Sequence, residues 1–302
     1  MTGMNSLNFD TDSAPEAGNM DLARRLREGD RPRFLCCLFA PKEHRDALLT
    51  LYNFNLELAR VRVTVSDPLV GQLRLKWWYD AAEKLGSGTA PNHPVVQAME
   101  NVVRDRGIDT VDLLSLVQAH ADDLVPTQPA HMNDLCRYVD RTAGIIQHLA
   151  VRIVDAEATD DTRAAAAGVA QAWGLSRLLW AAPLHAARGW VYLPPGPNGG
   201  VDRVTVADVK ALRADVAPPD HVFASLRLVA EAAEEALRGA RCRRHALSPS
   251  TRAALLPGAL AGMALDRLRR VDFNPTKHPQ HPVEPGPVDM IRLWFRARAG
   301  RY

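Results

Sequence analysis

The sequence has few of the features that mark secreted, disulfide-rich or membrane-spanning proteins. Its 302 residues include only four cysteines. Cys36 and Cys37 are adjacent, and no cysteines have the CxxC spacing of a zinc site, so we expect reduced thiols in a cytosol-like compartment. No apolar run approaches the ~18 residues that a membrane-spanning helix requires. The chain is therefore expected to fold without disulfides, structural metal or a transmembrane segment.

Net charge is also small, at a formal +2 at pH 7, and by itself it does not indicate nucleic-acid binding. The charge is unevenly distributed, because residues 241–302 contain twelve lysines and arginines against four acidic residues. This excess favours contact with an anionic surface, such as lipid headgroups or an acidic partner.

Residues 1–20 lack both the apolar core of a secretion signal and the arginine-rich character of a transit peptide. Their polar, slightly acidic composition predicts a disordered tail. Together with the cysteine content, this predicts a cytoplasmic location, with peripheral contact to the inner membrane if the basic C-terminal region binds lipid.

No stretch alternates between apolar and polar residues with period two. Apolar residues recur instead at steps of three and four, which predicts an all-α protein. The predicted helices cover two pieces within 21–40, then 42–65, 69–85, 95–105, 109–124, 132–154, 160–186, 221–240, 251–270, and a short basic helix near the C-terminal end. No linker divides this run of helices into separate domains.

The segment Leu51 to Trp78 holds the central pair of helices, separated at Ser66-Asp67-Pro68. The first helix has one apolar face, formed by Leu51, Phe54, Leu58, Val61 and Val65. Its interspersed polar residues are Asn55, Glu57, Arg60 and Arg62. These polar side chains point either to solvent or into an internal cavity, where each needs a partner. On the second helix, Trp77 and Trp78 lie about 100° apart, so only one of them is expected to face inward.

Three passages together resemble the squalene/phytoene synthase family. They are RFLCCLFAPKEHRDALLTLYNFNLELARVR with its following RLKWW, then DLCRYVDRTAGIIQHLA, and GVAQAWGLSRLLWAAPLHAARGWVYLP. The resemblance covers roughly residues 30–270. It implies an all-α isoprenoid-synthase bundle around a central cavity, which we assign to residues 21–271, followed by a Pro-rich spacer and basic helix at 272–302. Active members join two prenyl diphosphates head to head, using Mg²⁺ held by two DxxxD motifs.

The sequence departs from this pattern where the metal would bind. The aspartates of the first motif fall at Ala59 and Val63, and those of the second at Ala181 and His185. Arg177 stands where an amide residue is usual. Carboxylates at i and i+4 grip Mg²⁺ from one helical face, so losing all four removes the expected means of holding Mg²⁺-diphosphate.

The replacing residues, within FNLELARVR, AWGL and APLHAARG, resemble a subgroup related to the mitochondrial complex I assembly factor that carries this fold. This resemblance implies a protein that has lost Mg²⁺-dependent prenyl transfer and acts in binding or assembly. Its partners would be a prenyl or lipid-like molecule, respiratory-complex subunits and a membrane surface, with no nucleic acid and no cofactor.

Two alternatives remain open at the level of sequence. One is an active enzyme, either a prenyl transferase that uses Mg²⁺ at a relocated site or an enzyme with a metal-free activity on isoprenoid substrates. Glu57, Asp80 and Asp122 are the acidic residues that would contribute to it. The other is a structural subunit whose cavity is closed by side chains. The first is distinguished by acidic residues that converge on the cavity, the second by co-purification with a partner.

The candidate cavity or ligand-binding residues lie in segments that the family resemblance places around the central cavity. They are Phe54, Asn55, Glu57, Arg60, Trp77, Arg177, His185 and Tyr192. Glu57, Arg60 and Arg177 form either a charged cluster in the former metal site or, for Glu57 and Arg60, a solvated surface pair. His185 is either a base or a structural histidine near a helix C-terminus. Asp122 and Asp123, near a helix end, are predicted to be surface charges.

The last helix combines apolar bulk with arginines. Its candidate contact residues are Arg292, Trp294, Phe295 and Arg296. A short, basic and aromatic helix suits an interfacial membrane contact, and it equally suits a segment that docks onto its own domain. The sequence does not separate these two interpretations.

Overall fold

The computed structural model describes residues 15–65, 67–196, 203–213, 219–277 and 285–302. Within these ranges the chain forms helices and no strand, which confirms the all-α prediction. The helices are α1 (Pro15–Gly29), α2 (Arg31–Leu38), α3 (Lys42–Thr64), α4 (Pro68–Glu83), α5 (Pro94–Arg106), α6 (Thr110–Asp122), α7 (Met132–Val139), α8 (Ile145–Val154), α9 (Asp160–Ala187), α10 (Val206–Ala211), α11 (Asp220–Cys242), α12 (Pro249–Ala254), α13 (Pro257–Arg270) and α14 (Pro287–Arg298).

Helix α9 lies at the centre of the bundle. It spans 28 residues rich in alanine, and it packs against α8, α10, α11 and α13. A helix that is apolar on nearly all sides requires such neighbours. The approach of α11 is close enough that a Cβ atom at Gly168 would lie 2.6 Å from the Ala236 carbonyl oxygen. A glycine is therefore needed at this contact between α9 and α11.

The break between the central helices follows from local chemistry. Asp67 is the N-cap of α4, where its side chain accepts a hydrogen bond from the backbone N–H of Leu69, and Pro68 occupies the first turn, where a missing N–H costs nothing. On α4, Trp78 is buried and Trp77 is 42% exposed. The expectation that only one tryptophan faces inward is confirmed.

Two predicted helices differ in detail from those of the structure. The predicted helix 251–270 is divided, with α12 ending at Ala254 and α13 beginning at Pro257, because proline lacks the N–H that a continuous helix would use. The predicted helix 132–154 contains a π-helical turn, Asp140–Gly144, between α7 and α8. π-Helical turns inside α-helices often accompany functional sites.

The C-terminal segment packs against the rest of the chain. Leu293 of α14 is buried, and Tyr302 is buried with its hydroxyl donating to the Ala240 carbonyl oxygen. Residues 278–284 of the predicted Pro-rich spacer lie outside the described residues. So do residues 1–14 of the predicted tail, while α1 begins at Pro15. Among the helices that the structure describes, none is both long enough and apolar enough to cross a membrane.

Candidate functional site

A cavity of about 870 Å³ opens between the central helices. Its size is within the range of about 300–1,000 Å³ that is typical of small-molecule sites. Helix α3 contributes Asn55 and Ala59, which are four residues apart and therefore share a face. Helix α9 contributes Trp173, Arg177, Ala181 and His185, which also recur at steps of four. The wall also includes the end of α1, the α2 N-terminus, α6, the α7–π-turn region, and the segments that follow α10 and α13.

The charged end of this cavity is built around Asp30, which separates α1 from α2. Asp30 caps α2 by accepting the Arg33 backbone N–H, and its carboxylate also lies 3.3 Å from the Arg33 guanidinium. The Arg177 guanidinium lies 3.6 Å from the other carboxylate oxygen. Two cations therefore share one anion, which leaves this end of the cavity with net positive charge.

Arg177 is the member of this cluster that is available to a ligand. Its side chain keeps 42% of its area accessible, and Arg177 is one of the residues that line the cavity. Burial lowers the pKa of the guanidinium, while the Asp30 carboxylate acts in the opposite direction. Arginine remains charged over the whole physiological range even so. Trp173 supports it, with the guanidinium carbon 5.3 Å from the ring centroid.

Several other polar groups around the cavity are neutral. Burial lowers the pKa of His120 to about 4 and that of His185 to about 4, so both imidazoles are uncharged at neutral pH. His120 lies 3.5 Å from the Asn55 side-chain oxygen. His185 Nδ1 and Trp173 Nε1 are buried without a hydrogen-bond partner among the described residues. A bound molecule or water that reached these nitrogens would satisfy groups that are costly to leave unpaired.

A second buried cluster surrounds Asp123. Its carboxylate accepts hydrogen bonds from Arg62 at 2.6 Å, from the Tyr138 hydroxyl at 3.1 Å and from the Tyr192 hydroxyl. The Arg62 guanidinium also stacks on Trp190, with 3.8 Å between its central carbon and the ring centroid. Asp123 is thus buried and bonded to three side chains, so the prediction that it is a surface charge was wrong. Asp122, by contrast, is exposed and pairs with Arg141.

The family resemblance assigns the aspartates of the two metal motifs to Ala59, Val63, Ala181 and His185. Ala59, Ala181 and His185 line the cavity, whereas Val63 is 54% exposed. Within the described ranges, no group of three or more His, Cys, Asp or Glu side chains is arranged to hold a metal ion.

The three acids considered for a relocated site do not converge. Glu57 pairs with Arg60, Asp80 with Lys76 and Asp122 with Arg141. None of the three is among the residues that line the 870 Å³ cavity.

The predicted cavity residues divide into two groups. Asn55, Arg177 and His185 line the 870 Å³ cavity. The others lie outside it: Phe54, Glu57, Arg60, Trp77 and Tyr192. Tyr192 lines a separate cavity of about 490 Å³ beside Asp123.

The geometry of the helices explains why these residues miss the cavity. Phe54 packs edge-on against Trp78 of α4, with ring centroids 5.5 Å apart. Trp77 points outward and contacts His93. Glu57 and Arg60 form a local pair at 3.4 Å, with Arg60 42% exposed. Glu57 and Arg60 therefore do not form the predicted cluster with Arg177, which pairs with Asp30 instead.

Sequence reasoning missed most of the lining residues of the site, among them Asp30, Arg33, His120, Tyr138 and Trp173. Of these five, only Asp30 carries a local signal, because an aspartate after Gly29 and before Pro32 is typical of a helix N-cap. Its second role, as partner of Arg177, depends on a contact across 147 residues of chain, which no local pattern contains.

Comparison with known proteins gives a consistent set of similarities. The family model described as squalene/phytoene synthase matches residues 26–286. The mouse protein named NADH dehydrogenase (ubiquinone) complex I, assembly factor 6 is 28% identical over 171 residues, covering 56% of this chain and 50% of that protein. The Drosophila melanogaster homolog of that factor is 27% identical over 255 residues, covering 81% of this chain and 73% of the homolog. The matched region thus spans about half the length of the mammalian relatives.

Solved structures show the same fold. A dehydrosqualene synthase in complex with ligand superposes with a TM-score of 0.76 at 16% identity, covering 94% of this chain and 96% of the other. Squalene synthase HpnC from Alicyclobacillus acidocaldarius has a TM-score of 0.72 at 20% identity, covering 87% and 98%. At these identities the similarity establishes the architecture and leaves the chemistry to be argued from the site.

Proposed function

The chain belongs to the squalene/phytoene synthase family, and we propose that it is a member that binds an amphiphile without metal and serves in respiratory-complex assembly instead of transferring prenyl groups. The observation that carries this proposal is that Ala59 and Ala181, where the family resemblance leads us to expect aspartates, lie on two helices that line the same cavity. A diphosphate is polyanionic, and Mg²⁺ bound by carboxylates is the usual means of holding it at a protein wall.

The polar end of the cavity supports a particular class of ligand. Arg177 offers a cation with accessible surface, while the nearby carboxylate of Asp30 is already shared by two guanidinium groups. Both nearby histidines are neutral. Such a surface suits a head group that presents oxygen acceptors, since guanidinium donors bind such oxygens directly. The adjacent apolar wall, which includes Leu56, Val139 and Leu178, suits a prenyl or acyl chain.

The assembly role rests on the curated relatives. Proteins named as complex I assembly factors in mouse and fly share this chain's sequence over 171 and 255 residues. We therefore expect partners among the subunits or intermediates of an NADH dehydrogenase complex, and a location in the cytoplasm or at the periphery of the membrane that holds that complex.

The decisive experiment is titration of the purified protein with farnesyl diphosphate, with and without Mg²⁺, followed by product analysis. We expect no Mg²⁺-dependent binding and no hydrocarbon or alcohol product. Lipid extracts of the purified protein, analysed by mass spectrometry, are expected to contain a prenyl or acyl amphiphile. Metal-dependent binding with turnover would establish the alternative, an active prenyl transferase with a relocated metal site.

A variant pair locates the binding to the cavity. Arg177→Gln removes a charged donor, and a hydrogen bond to a charged group typically contributes enough that we expect roughly a tenfold or greater loss of affinity for the extracted amphiphile. Arg163→Gln is the matched control, because Arg163 lies on the same helix, is exposed and pairs with Asp160. Equal affinity in the two variants would contradict the assignment of Arg177 to the site.

A further inference from the structure

We infer that α14 is a docking surface for a membrane that contains anionic lipids. One face of this helix is fixed to the protein and the other presents large apolar side chains. Leu293 is 1% exposed, whereas Ile291 is 58%, Trp294 44% and Phe295 62% exposed. Trp294 and Phe295 lie edge to face, with ring centroids 4.9 Å apart. This inference does not depend on the function proposed for the cavity.

The helix is oriented by contacts on both sides of its buried residue. Asp289, in the first turn, forms an ion pair with Arg267 of α13 and accepts the Gly286 backbone N–H. Beyond the helix, the buried side chain of Tyr302 donates to the Ala240 carbonyl oxygen. The exposed aromatic face is thus the outer side of a docked helix. Of the two interpretations of this segment from sequence, docking onto its own domain is therefore observed.

Charge determines which occupant suits the exposed face. Four arginines lie on or directly after the helix: Arg292, Arg296, Arg298 and Arg301. None of them takes part in an ion pair found among the described residues. The only acid of the helix, Asp289, is neutralised by Arg267. The surface therefore combines unneutralised positive charge with exposed aromatic rings.

This combination matches the interface of an anionic bilayer. Tryptophan and phenylalanine insert at the level between headgroups and acyl chains, while arginines contact lipid phosphates. The Arg298 guanidinium carbon lies 5.0 Å from the Trp294 ring centroid, which holds the cation beside the ring that would insert.

A second exposed apolar stripe shows why charge matters to the inference. On α4, Leu69, Leu73 and Trp77 are 61%, 64% and 42% exposed and recur at steps of four. There, however, the two cations of the helix, Arg74 and Lys76, are matched by its two acids, Asp80 and Glu83, and the stripe has no comparable excess of positive charge. The α4 stripe supplies a matched control of similar exposed apolar character.

The test is flotation of the full-length protein with vesicles made of about equal parts phosphatidylglycerol and phosphatidylcholine, or of phosphatidylcholine alone. We expect binding to the anionic vesicles and roughly tenfold weaker binding to the neutral ones. Binding should fall sharply at an ionic strength of about 1 M, where the screening length is about 3 Å. Absence of binding to the anionic vesicles would overturn the inference.

Two variants assign the binding to α14. Trp294→Ser combined with Phe295→Ser is expected to weaken vesicle binding roughly tenfold or more while leaving the melting temperature unchanged, because both side chains are exposed. Arg292→Gln combined with Arg298→Gln is expected to remove the preference for anionic vesicles. Leu69→Ser combined with Leu73→Ser should bind as the parent does. An equal loss of vesicle binding in this control would refute the lipid assignment. So would an α14 serine variant that binds vesicles as the parent does and differs only in self-association, measured by sedimentation.

Discussion

Asp30 and Asp123 are buried to the same extent, each 7% exposed, yet their surroundings differ. Asp123 accepts hydrogen bonds from Arg62, which is only 12% exposed, and from two tyrosine hydroxyls. Asp30 is shared by Arg33 and Arg177 at 3.3 and 3.6 Å, and Arg177 keeps accessible surface. A cation enclosed beside its carboxylate, such as Arg62, holds helices together, whereas one that keeps accessible surface, such as Arg177, is available to a ligand. The comparison therefore separates a structural cluster from a binding one.

The largest loss of stability should come from removing the carboxylate of the Asp123 cluster. Asp123→Ala would leave the Arg62 guanidinium, only 12% exposed, without its carboxylate. Breaking a buried ion pair by removing one partner typically costs about 3–5 kcal/mol, and we expect a loss of that size in the free energy of unfolding measured by urea denaturation. Asp122→Ala is the control, because the adjacent carboxylate forms an exposed pair with Arg141 and should cost about 1 kcal/mol or less. Similar losses in the two variants would show that Asp123 is not a structural centre.

An intermediate effect should appear when pH is lowered, because neutral histidines adjoin both clusters. Burial lowers the pKa of His185 to about 4 and that of His120 to about 4, with the Arg62 cation acting in the same direction on each. The unfolded chain, whose histidines titrate near 6.5, therefore takes up protons before the folded state does. Stability is complete above pH 6.5 and falls as pH decreases towards 4, by about 2 kcal/mol per histidine between pH 7 and pH 5.

Urea denaturation at several pH values measures this slope. His185→Asn should reduce the loss of stability between pH 7 and pH 5 by about the contribution of one histidine, since asparagine cannot take up a proton. His245→Asn provides the comparison, because His245 is exposed and its replacement should leave the slope unchanged. A parent protein whose stability is flat from pH 7 to pH 5 would contradict the burial of neutral imidazoles.

The two clusters also show what the sequence can and cannot reveal. Helix boundaries such as those at Pro68 and Pro94 were predictable because caps and proline act within one turn. The family resemblance placed Arg177 and His185 at a cavity, and both line it. Asp123 was misassigned because its local context, a charged pair at the end of α6, is that of a surface. Its partners come from α3, α7 and the segment after α9, so its burial exists only in the assembled fold.

Within α3, periodicity identified the apolar face but not which neighbouring residues border the cavity. Phe54 and Asn55 are adjacent, about 100° apart on the helix. Only Asn55 reaches the cavity, whereas Phe54 packs on Trp78. If α3 were assumed to be rotated by one residue, a core residue would be taken for a cavity residue. The position of α4, which packs against Phe54, determines which of the two residues borders the cavity.

The smallest loss of stability is expected for Arg177→Met, and this variant tests most directly whether the Asp30 and Asp123 clusters differ in role. Arg177→Met removes a cation that is 42% accessible and 3.6 Å from Asp30, while Asp30 keeps both the guanidinium and the backbone N–H of Arg33. Its contribution to stability is therefore that of a weak, partly exposed pair, about 1 kcal/mol or less. Arg62→Met, measured in parallel, should cost clearly more because Arg62 is enclosed between Asp123 and Trp190. If Arg177→Met proved as destabilising as Arg62→Met, the cationic end of the cavity would be part of the scaffold, and its guanidinium would not be free to bind a ligand.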